Sequence, residues 1–481
     1  MNKIALEYVQ NRLANARLTL ESFTKDENGS VYPTRTIFIK IKKYVDDFLF
    51  GTSEDRWVII PGLRGVGKTT LLAQMYLTLL RNQSLSTNRL LYFSLDDAVE
   101  RVGLTLNDIL EAYEYILGGS FEGQKEKIFI FIDEVQSDKK WSITLKTQLY
   151  DKTKNIFVLC TGSSAVSLQT NADVYRRANF EKLYPMNFCE YQMIKNKVYP
   201  ISGLKKKLHD TIFFSDSAEQ AYKSIKAIET DILRYWSQIN KTEMDEYLTI
   251  GTLPFAIKKD EYKVYEKVKL ILDRIVDQDI RDLGRLQSDT IQSIKRLLFL
   301  LADANDTLSI NKLSGHDFLS MNPVTLAHVL DILEKAELLV RVTPHGSTTN
   351  KVRKASKYLF MSPTYRMALL SVAGNENTFL TRQGKLIEDV VGEYFYREIS
   401  SKGKGSLSYD SSQGGADFIL EIANSHKIAV EVGRGEKDNK QIGNTMKKIT
   451  CRYGINISYK NNDLNVEGDI LQLPLSIFLL T

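Results

Sequence analysis

The sequence has few of the residues that build metal or thiol sites. It contains three cysteines, Cys160, Cys189 and Cys451, and five histidines, and none of them stand at the close spacings that zinc ligands adopt. Scattered single cysteines favour a reducing compartment, where disulfides do not persist. No Gly-x-Ser-x-Gly motif and no cysteine–histidine arrangement occurs, so a hydrolase built on those nucleophiles is not expected.

Long apolar runs and a strong charge of one sign are also missing. No apolar stretch approaches the roughly 18 residues of a membrane span, and the start, MNKIALEYVQNRLANARLTLES, lacks a signal-peptide core. The net charge of +5 over 481 residues is weak, so it neither requires nor excludes nucleic acid. We therefore expect a cytoplasmic protein without a membrane partner. At this length it has room for several domains.

Hydrophobic patterning divides the chain into segments. The runs RWVII, RLLYFSL, KIFIFI and NIFVLCTG alternate with amphipathic stretches, which predicts a parallel sheet of the α/β class. The predicted domains are an N-terminal helical and extended segment (1–45), an α/β core (46–190), a helical region (191–285), a small helical domain with a β-hairpin (286–375) and a helix followed by strands (380–481).

The first apolar run leads into GLRGVGKTT, which fits the pattern G-x-x-x-x-G-K-[ST]. Its glycines let successive backbone N–H groups converge on phosphate oxygens, while Lys68 is predicted to reach the β- and γ-phosphates and the Thr69 hydroxyl to bind magnesium. The helix that begins near Lys68 adds its positive end. We therefore expect ATP and Mg²⁺ as cofactors. The predicted nucleotide-binding residues are Gly62, Gly65, Val66, Gly67, Lys68, Thr69 and Thr70.

Two later strands end in polar residues that suit the same site. KIFIFIDEVQ places Asp133 and Glu134 at the exit of a buried strand, Asp133 as the acid on the metal side and Glu134 as the base or water-orienting group. NIFVLCTGSSA ends in Thr161, Gly162, Ser163 and Ser164, and Ser163 is the candidate for contacting the γ-phosphate or the attacking water. The alternative is a polar turn that caps the next helix.

At this point the sequence resembles the prokaryotic AAA-type ATPases that carry a C-terminal restriction-endonuclease-like domain. The resemblance rests on the P-loop, DEVQ…W…LK, TGSSA, YRRANFEKLYPMNFCEY and YLTIGTLPFAI, and covers most of residues 50–460. Arg176 replaces a glycine of the family pattern, Met186 and Asn187 are substituted, and Thr252 replaces a second glycine. The resemblance implies an AAA-type parallel sheet with a helical lid, a winged-helix domain and a nuclease-like α/β domain.

The resemblance also implies a role for Arg177, which matches the family's arginine. It would act as an arginine finger, either at the γ-phosphate of a neighbouring subunit in a homo-oligomer or within its own chain. Such a group contributes about 10³–10⁵ in rate by neutralising charge in the transition state. A structural or solvated arginine is the alternative, and Arg176 beside it is a competing candidate.

Residues 286–370 have the pattern of a winged helix. Three helix-like stretches come first, the third with Asn322 as N-cap and Pro323 at its first position. Two strands then frame the loop HGSTTNKVRKAS, whose Lys351, Arg353 and Lys354 have no acid among them. This loop is predicted to contact the DNA backbone. A solvated basic loop or a protein contact is the alternative, because the third helix carries acidic residues.

The C-terminal segment contains the acids of a nuclease-like site. Glu388 lies in a predicted helix, and Asp417 and Glu431 lie on adjoining strands, where Asp417 and Glu431 would hold a magnesium ion. The position two residues after Glu431, where the family has lysine, is Gly433. Lys437 or Lys440 would have to replace it, and a fold kept for binding or regulation without cleavage is the alternative.

These patterns predict a magnesium-dependent ATPase whose nucleotide state controls the winged helix and the nuclease-like domain, acting on or near DNA. Two other classes of function stay open. One is a signalling switch that holds ATP, turns it over slowly and targets a protein. The other is a nuclease that acts on DNA and is gated by the ATPase.

Overall fold

The computed structural model describes most of the chain as two compact units, Met1–Tyr184 and Pro185–Thr481. The description covers residues 2–51, 53–82, 85–162, 172–281, 288–304, 309–316, 319–347, 354–371, 378–422, 426–435 and 439–481. The five predicted domains and their boundaries stay predictions.

The first unit is built on a parallel sheet of five strands in the order β2-β3-β4-β1-β5. The strands are β1 (Trp57–Pro61), β2 (Leu90–Ser94), β3 (Ile128–Asp133), β4 (Ile156–Gly162) and β5 (Asn179–Phe180). This arrangement confirms the predicted parallel α/β fold. The central strands β3 and β4 are buried at every position because helices cover both faces, which explains their continuous apolar runs.

Helices cover this sheet on both sides. They are α1 (Lys3–Phe23), α2 (Ile37–Phe50), α3 (Lys68–Leu80), α4 (Leu106–Ile116), α5 (Trp141–Leu145) and α6 (Ala172–Tyr175). One face of the sheet packs with α1, α4 and α5 into a core that contains Trp57, Phe93, Ile130 and Val158. The carboxyl ends of β1, β3 and β4 meet at one edge of the sheet, and α3 begins there.

The second unit opens with helices, and further helices lie between and after its strands. They are α7 (Phe188–Asn196), α8 (Leu204–Phe214), α9 (Ala218–Lys226), α10 (Glu229–Trp236), α11 (Glu243–Glu246), α12 (Glu261–Arg274), α13 (Ser288–Asp303), α14 (Ile310–Ser314), α15 (Pro323–Lys335), α16 (Pro363–Ser371), α17 (Thr378–Phe395), α18 (Lys440–Ile449) and α19 (Leu475–Phe478). The described residues 191–281 are mainly helical, and the bounds of the helical region predicted for 191–285 stay a prediction.

Two of the departures from the family pattern have local structural roles in this unit. The Asn187 side chain accepts a hydrogen bond of 2.8 Å from the Glu190 N–H and caps α7. The buried Thr252 hydroxyl lies 2.7 Å from the Ser362 hydroxyl and 2.9 Å from the Thr364 hydroxyl. The Asn187 side chain therefore holds its own helix, and the Thr252 side chain links its segment to the start of α16.

The strands of the second unit form one mixed sheet of eight, in the order β12-β13-β11-β10-β9-β8-β6-β7. They are β6 (Leu339–Pro344), β7 (Lys357–Phe360), β8 (Gly405–Tyr409), β9 (Phe418–Ile422), β10 (His426–Gly433), β11 (Tyr453–Ser458), β12 (Asn465–Glu467) and β13 (Ile470–Pro474). The hairpin β6–β7 joins the later strands because Thr343 and Pro344 pair with Ser408 and Tyr409. The sequence pattern had not indicated this continuity.

Among the described residues, no helix has both the length and the apolar character that crossing a bilayer requires.

Candidate functional site

The loop between β1 and α3 has the backbone geometry of a phosphate cradle. Gly65 and Gly67 adopt positive φ values of 86° and 94°, a region that side chains with a Cβ rarely enter. A Cβ on Gly62 would lie 2.4 Å from the backbone oxygen of Leu183, so glycine is required there for a different reason, close packing. The pattern of glycines in the motif therefore follows from the shape of the loop.

Lys68 is the first residue of α3, and its side chain folds over this loop. The ammonium group donates hydrogen bonds of 2.9 Å to the carbonyl oxygen of Gly62 and 3.0 Å to that of Leu63. Lys68 is buried, with 5% of its surface exposed. The loop carbonyls therefore hold the cation within the cradle, next to the positive end of a helix.

Arg35 supports the loop from a distant part of the chain. Its guanidinium donates a hydrogen bond of 3.0 Å to the carbonyl oxygen of Val66, and the residue is 8% exposed. Sequence reasoning missed this contact because Arg35 stands in no motif and precedes the loop by about thirty residues.

Asp133 lies at the end of β3 and is held by two hydroxyl groups. The Thr69 hydroxyl donates a hydrogen bond of 2.7 Å to one carboxylate oxygen, and the Thr161 hydroxyl at the end of β4 donates to the other. Burial raises the pKa of Asp133, and the neighbouring Glu134 adds to that effect, while the hydroxyls and Lys68 oppose it. The carboxylate and the Thr69 hydroxyl are adjacent oxygen donors of the kind magnesium prefers, so these residues fit that ion.

Glu134 follows Asp133 in a strained conformation. Its φ is 52°, in the left-handed region that non-glycine residues seldom occupy. Its backbone N–H donates a hydrogen bond of 3.2 Å to the Thr161 hydroxyl, and the Gln136 side chain donates one of 2.5 Å to its carboxylate. Thr161 therefore organises both acids, and Gln136 orients the second, a role that sequence reasoning did not assign.

Comparison with known proteins identifies the first unit's domain type. Residues 54–192 match the family model of an AAA domain, and residues 241–376 match a model described as a domain of unknown function, DUF8612. Over 479 residues the chain is 35% identical to the protein named Uncharacterized protein MJ1637 from Methanocaldococcus jannaschii, covering 98% of this chain and 93% of that protein. The chain belongs to the same family as this archaeal protein. Its α/β unit is an AAA-type P-loop domain, which supports ATPase-type activity in general.

Solved structures show a more distant likeness. The Aeropyrum pernix ORC1 protein in complex with DNA matches with a TM-score of 0.31 and 12% identity over 74% of this chain and 95% of that one. AMPPCP-bound DnaA from Aquifex aeolicus matches with a TM-score of 0.26 and 14% identity over 64% of this chain and 90% of that one. TM-scores this low do not support any inference about activity or partners.

Arg177 contacts the region where β4 begins. Its guanidinium lies 3.6 Å from the Asp151 carboxylate and 6.0 Å from the centre of the Tyr150 ring. These residues precede β4, whereas the P-loop lies at the carboxyl ends of the strands. An arginine finger supplied within the same chain has no support from this arrangement, and the role of Arg177 stays a prediction. Ser163, the third residue predicted to be catalytic, lies outside the described residues.

The C-terminal acids meet at the ends of β9 and β10. We call Glu388, Asp417 and Glu431 the carboxylate centre. The Asp417 N–H donates a hydrogen bond of 3.2 Å to the Glu431 carboxylate, and the Asp417 carboxylate accepts one of 3.1 Å from the Val432 N–H. The structure thus brings together the three acids that the sequence singled out. Gly433 is the last residue of β10, Lys440 opens α18, and Lys437 lies outside the described residues.

The carboxylate centre does not fit a magnesium ion in this arrangement. The Lys357 ammonium lies against both Glu388 and Asp417, and the Lys385 ammonium lies 2.7 Å from the second oxygen of Glu388. Within the part of the chain that is described, no group of three or more acidic, histidine or cysteine side chains is arranged to hold a metal. Lysines therefore already contact carboxylate oxygens of Glu388 and Asp417, and the metal role predicted for Asp417 and Glu431 stays a prediction.

Proposed function

We propose that this protein binds ATP together with Mg²⁺ and hydrolyses it at the P-loop. The observation that supports the proposal is the 2.7 Å hydrogen bond from the Thr69 hydroxyl to Asp133, because these are the two groups proposed to face magnesium and Thr69 follows the buried Lys68. Bound magnesium would be held by Thr69 and, through water, by Asp133, and would neutralise charge on the β- and γ-phosphates.

The residues of the chain then have distinct roles in the proposed reaction. Lys68 binds the β- and γ-phosphates and withdraws charge from them. Glu134 orients the attacking water and accepts its proton, with Gln136 fixing the carboxylate. Arg177 acts from a neighbouring subunit of a homo-oligomer, because its own side chain lies toward the amino ends of the strands.

Thr69→Val tests the proposal, because valine keeps the shape of threonine and removes the hydroxyl. We expect magnesium-dependent ATP hydrolysis to fall by roughly 10- to 100-fold, the effect of losing one hydrogen bond to a charged partner. Thr78→Val in the same helix is the matched control, since the Thr78 hydroxyl bonds only locally to the Gln74 carbonyl oxygen among the contacts described. Turnover in Thr69→Val at the level of the control would contradict the proposed site.

We extend the proposal to the C-terminal unit, whose winged helix and nuclease-like domain respond to the nucleotide state and act on or near DNA. The described helices α13, α14 and α15 followed by the antiparallel hairpin β6–β7 support a winged helix. Of the basic loop residues, Lys351 and Arg353 lie outside the described residues. Lys354 is exposed and donates a hydrogen bond of 2.8 Å to the Ser411 hydroxyl.

A second candidate function is an ATP switch with a protein target and a catalytically inactive C-terminal domain. The observation that favours it is the pairing of the carboxylate centre with Lys357 and Lys385. Hydrolysis measured with and without single- and double-stranded DNA separates the two candidates. Stimulation by DNA supports the first, and bound nucleotide without turnover supports the switch.

A further inference from the structure

The side chain of Lys357 enters the carboxylate centre from another part of the sheet. It is the first residue of β7, and its ammonium group lies 2.5 Å from Glu388 and 3.1 Å from the Asp417 carboxylate. It also lies 3.4 Å from the backbone oxygen of Asp417. An ammonium group has three N–H donors, and these three acceptors match them.

Acidic and aromatic groups surround the Lys357 ammonium group. The Lys357 side chain is 11% exposed, and the Phe418 and Tyr409 rings lie 5.3 Å and 5.6 Å from its nitrogen. Aromatic faces attract cations at such distances. Two carboxylates, one carbonyl and two rings therefore surround a single positive charge, with little access for solvent.

The cluster contains two lysines and three carboxylates. Lys357 lies against Glu388 and Asp417, Lys385 lies against Glu388, and Glu431 is the third acid of the centre. Burial lowers the pKa of Lys357, but the adjacent Glu388 and Asp417 outweigh it and raise the pKa above its usual range. A divalent cation entering beside these lysines would meet repulsion from two like charges that water screens poorly.

We propose that Lys357 is the resident cation of the carboxylate centre, so that its ammonium group excludes divalent metal while strand β7 is in place. Because β10 carries no lysine after Glu431 and ends in Gly433, the ammonium group between Glu388 and Asp417 comes from the hairpin β6–β7. The hairpin β6–β7, which carries the basic loop, therefore also supplies a cation to the carboxylate centre. This inference does not rest on ATP hydrolysis, and its test contains no nucleotide.

The test compares Mn²⁺ binding by nucleotide-free wild-type protein and variants, followed by electron paramagnetic resonance. Lys357→Met keeps the length of the stem and removes the charge, and we expect it to gain a Mn²⁺ site on the order of 100-fold tighter than any the wild type shows at this centre. Lys385→Met is the matched control, because it also removes a charge from Glu388 but leaves Lys357 between the two carboxylates. It should gain no comparable site. Adding Asp417→Asn to Lys357→Met should remove the gain.

Thermal melting gives a second readout, which remains usable when metal-free Lys357→Met is less stable than the wild type. In metal-free buffer Lys357→Met should melt below the wild type, since two carboxylates then face each other, and Mn²⁺ should restore the melting temperature of Lys357→Met but not of Lys385→Met. The proposal is overturned if wild type binds Mn²⁺ at Asp417 as tightly as Lys357→Met. A folded Lys357→Met without any gain, or an equal gain in Lys385→Met, overturns it as well.

Discussion

Two buried carboxylate sites in this chain differ in the groups that hold them. At the P-loop, the hydroxyls of Thr69 and Thr161 donate to Asp133, and hydroxyls carry no charge. At the carboxylate centre, the ammonium groups of Lys357 and Lys385 hold Glu388. The hydroxyls bring no positive charge to Asp133, so the charge of a metal–nucleotide complex can stabilise its carboxylate, whereas Glu388 already has lysine ammonium groups against it. The sequence alone predicts metal binding by the acids of both sites, so the two sites are distinguished by the groups that contact those acids.

The comparison also explains the opposite directions of two pKa values. Burial dominates at Asp133 and raises its pKa. Burial acts in the same direction on Glu388, but Lys357 and Lys385 outweigh it and lower the pKa of Glu388 to about 2. A cation brought by a ligand would therefore stabilise the ionised carboxylate of Asp133, whereas lysines of the protein already stabilise that of Glu388.

The largest effect is expected for Glu134→Gln at the P-loop. The amide retains the shape of the carboxylate but cannot accept a proton, so hydrolysis should fall by about 10²- to 10⁴-fold. ATP affinity, measured by titration with a fluorescent analogue, should stay near the wild-type value. Glu111→Gln, the same change on the exposed face of α4, should leave both quantities unchanged. Wild-type turnover in Glu134→Gln would remove this residue from the mechanism.

Glu388→Gln should have the next largest effect, on stability. Removing one partner of a buried ion pair should lower the free energy of unfolding at neutral pH by about 3–5 kcal/mol. Because the pKa of Glu388 is lowered on folding, its contribution is present above the ordinary carboxyl pKa of 4.5 and is lost as the pH falls toward about 2. The difference between wild type and variant, measured by urea unfolding, should therefore shrink over that window.

The control for this measurement is Glu421→Gln on the exposed side of β9. The carboxyls of Asp410 and Glu398, whose pKa values are also lowered to about 2, remain in every protein and cancel in the difference. A difference between wild type and Glu388→Gln that stays constant from pH 7 to pH 2 would contradict the lysine-paired state of Glu388.

The smallest effect is expected for the three basic residues of the loop between β6 and β7. Changing Lys351, Arg353 and Lys354 to alanine should weaken DNA binding similarly for all sequences and flatten the salt dependence by about 3 units. ATP hydrolysis without DNA should not change, since the loop lies outside the nucleotide motifs. DNA affinity is measured by fluorescence anisotropy across a salt series. If wild type shows no salt-dependent DNA binding, the ATP switch becomes the favoured function.

The structural features that the sequence predicts correctly are encoded by short local motifs. The P-loop follows from glycines and a lysine within nine consecutive positions, because a turn and a helix start are fixed by neighbouring residues. Asn322 caps α15 by accepting a hydrogen bond of 2.9 Å from the Thr325 N–H, with Pro323 at the first helical position, as predicted. The apolar runs likewise predicted the parallel sheet, since strands covered on both faces need apolar side chains throughout.

Contacts between segments that are distant in the chain could not be predicted from such motifs. Arg35 reaches the P-loop across about thirty residues, and no pattern marks it. Lys357 is 31 positions from Glu388 and 60 from Asp417. The sequence predicts the hairpin as part of a domain separate from the later strands, because the pairing of β6 with β8 has no signature in either strand.

The sequence by itself determined a P-loop and an acid at the end of a later buried strand, because each of these features depends on residues that are adjacent in the chain. It also singled out three acids in a C-terminal segment of a helix followed by strands. Only the tertiary structure decided which groups hold those acids, because the hydroxyls and ammonium groups come from other strands and helices, whose positions follow the order of the sheet. That order put Thr161 beside Asp133 and Lys357 between Glu388 and Asp417.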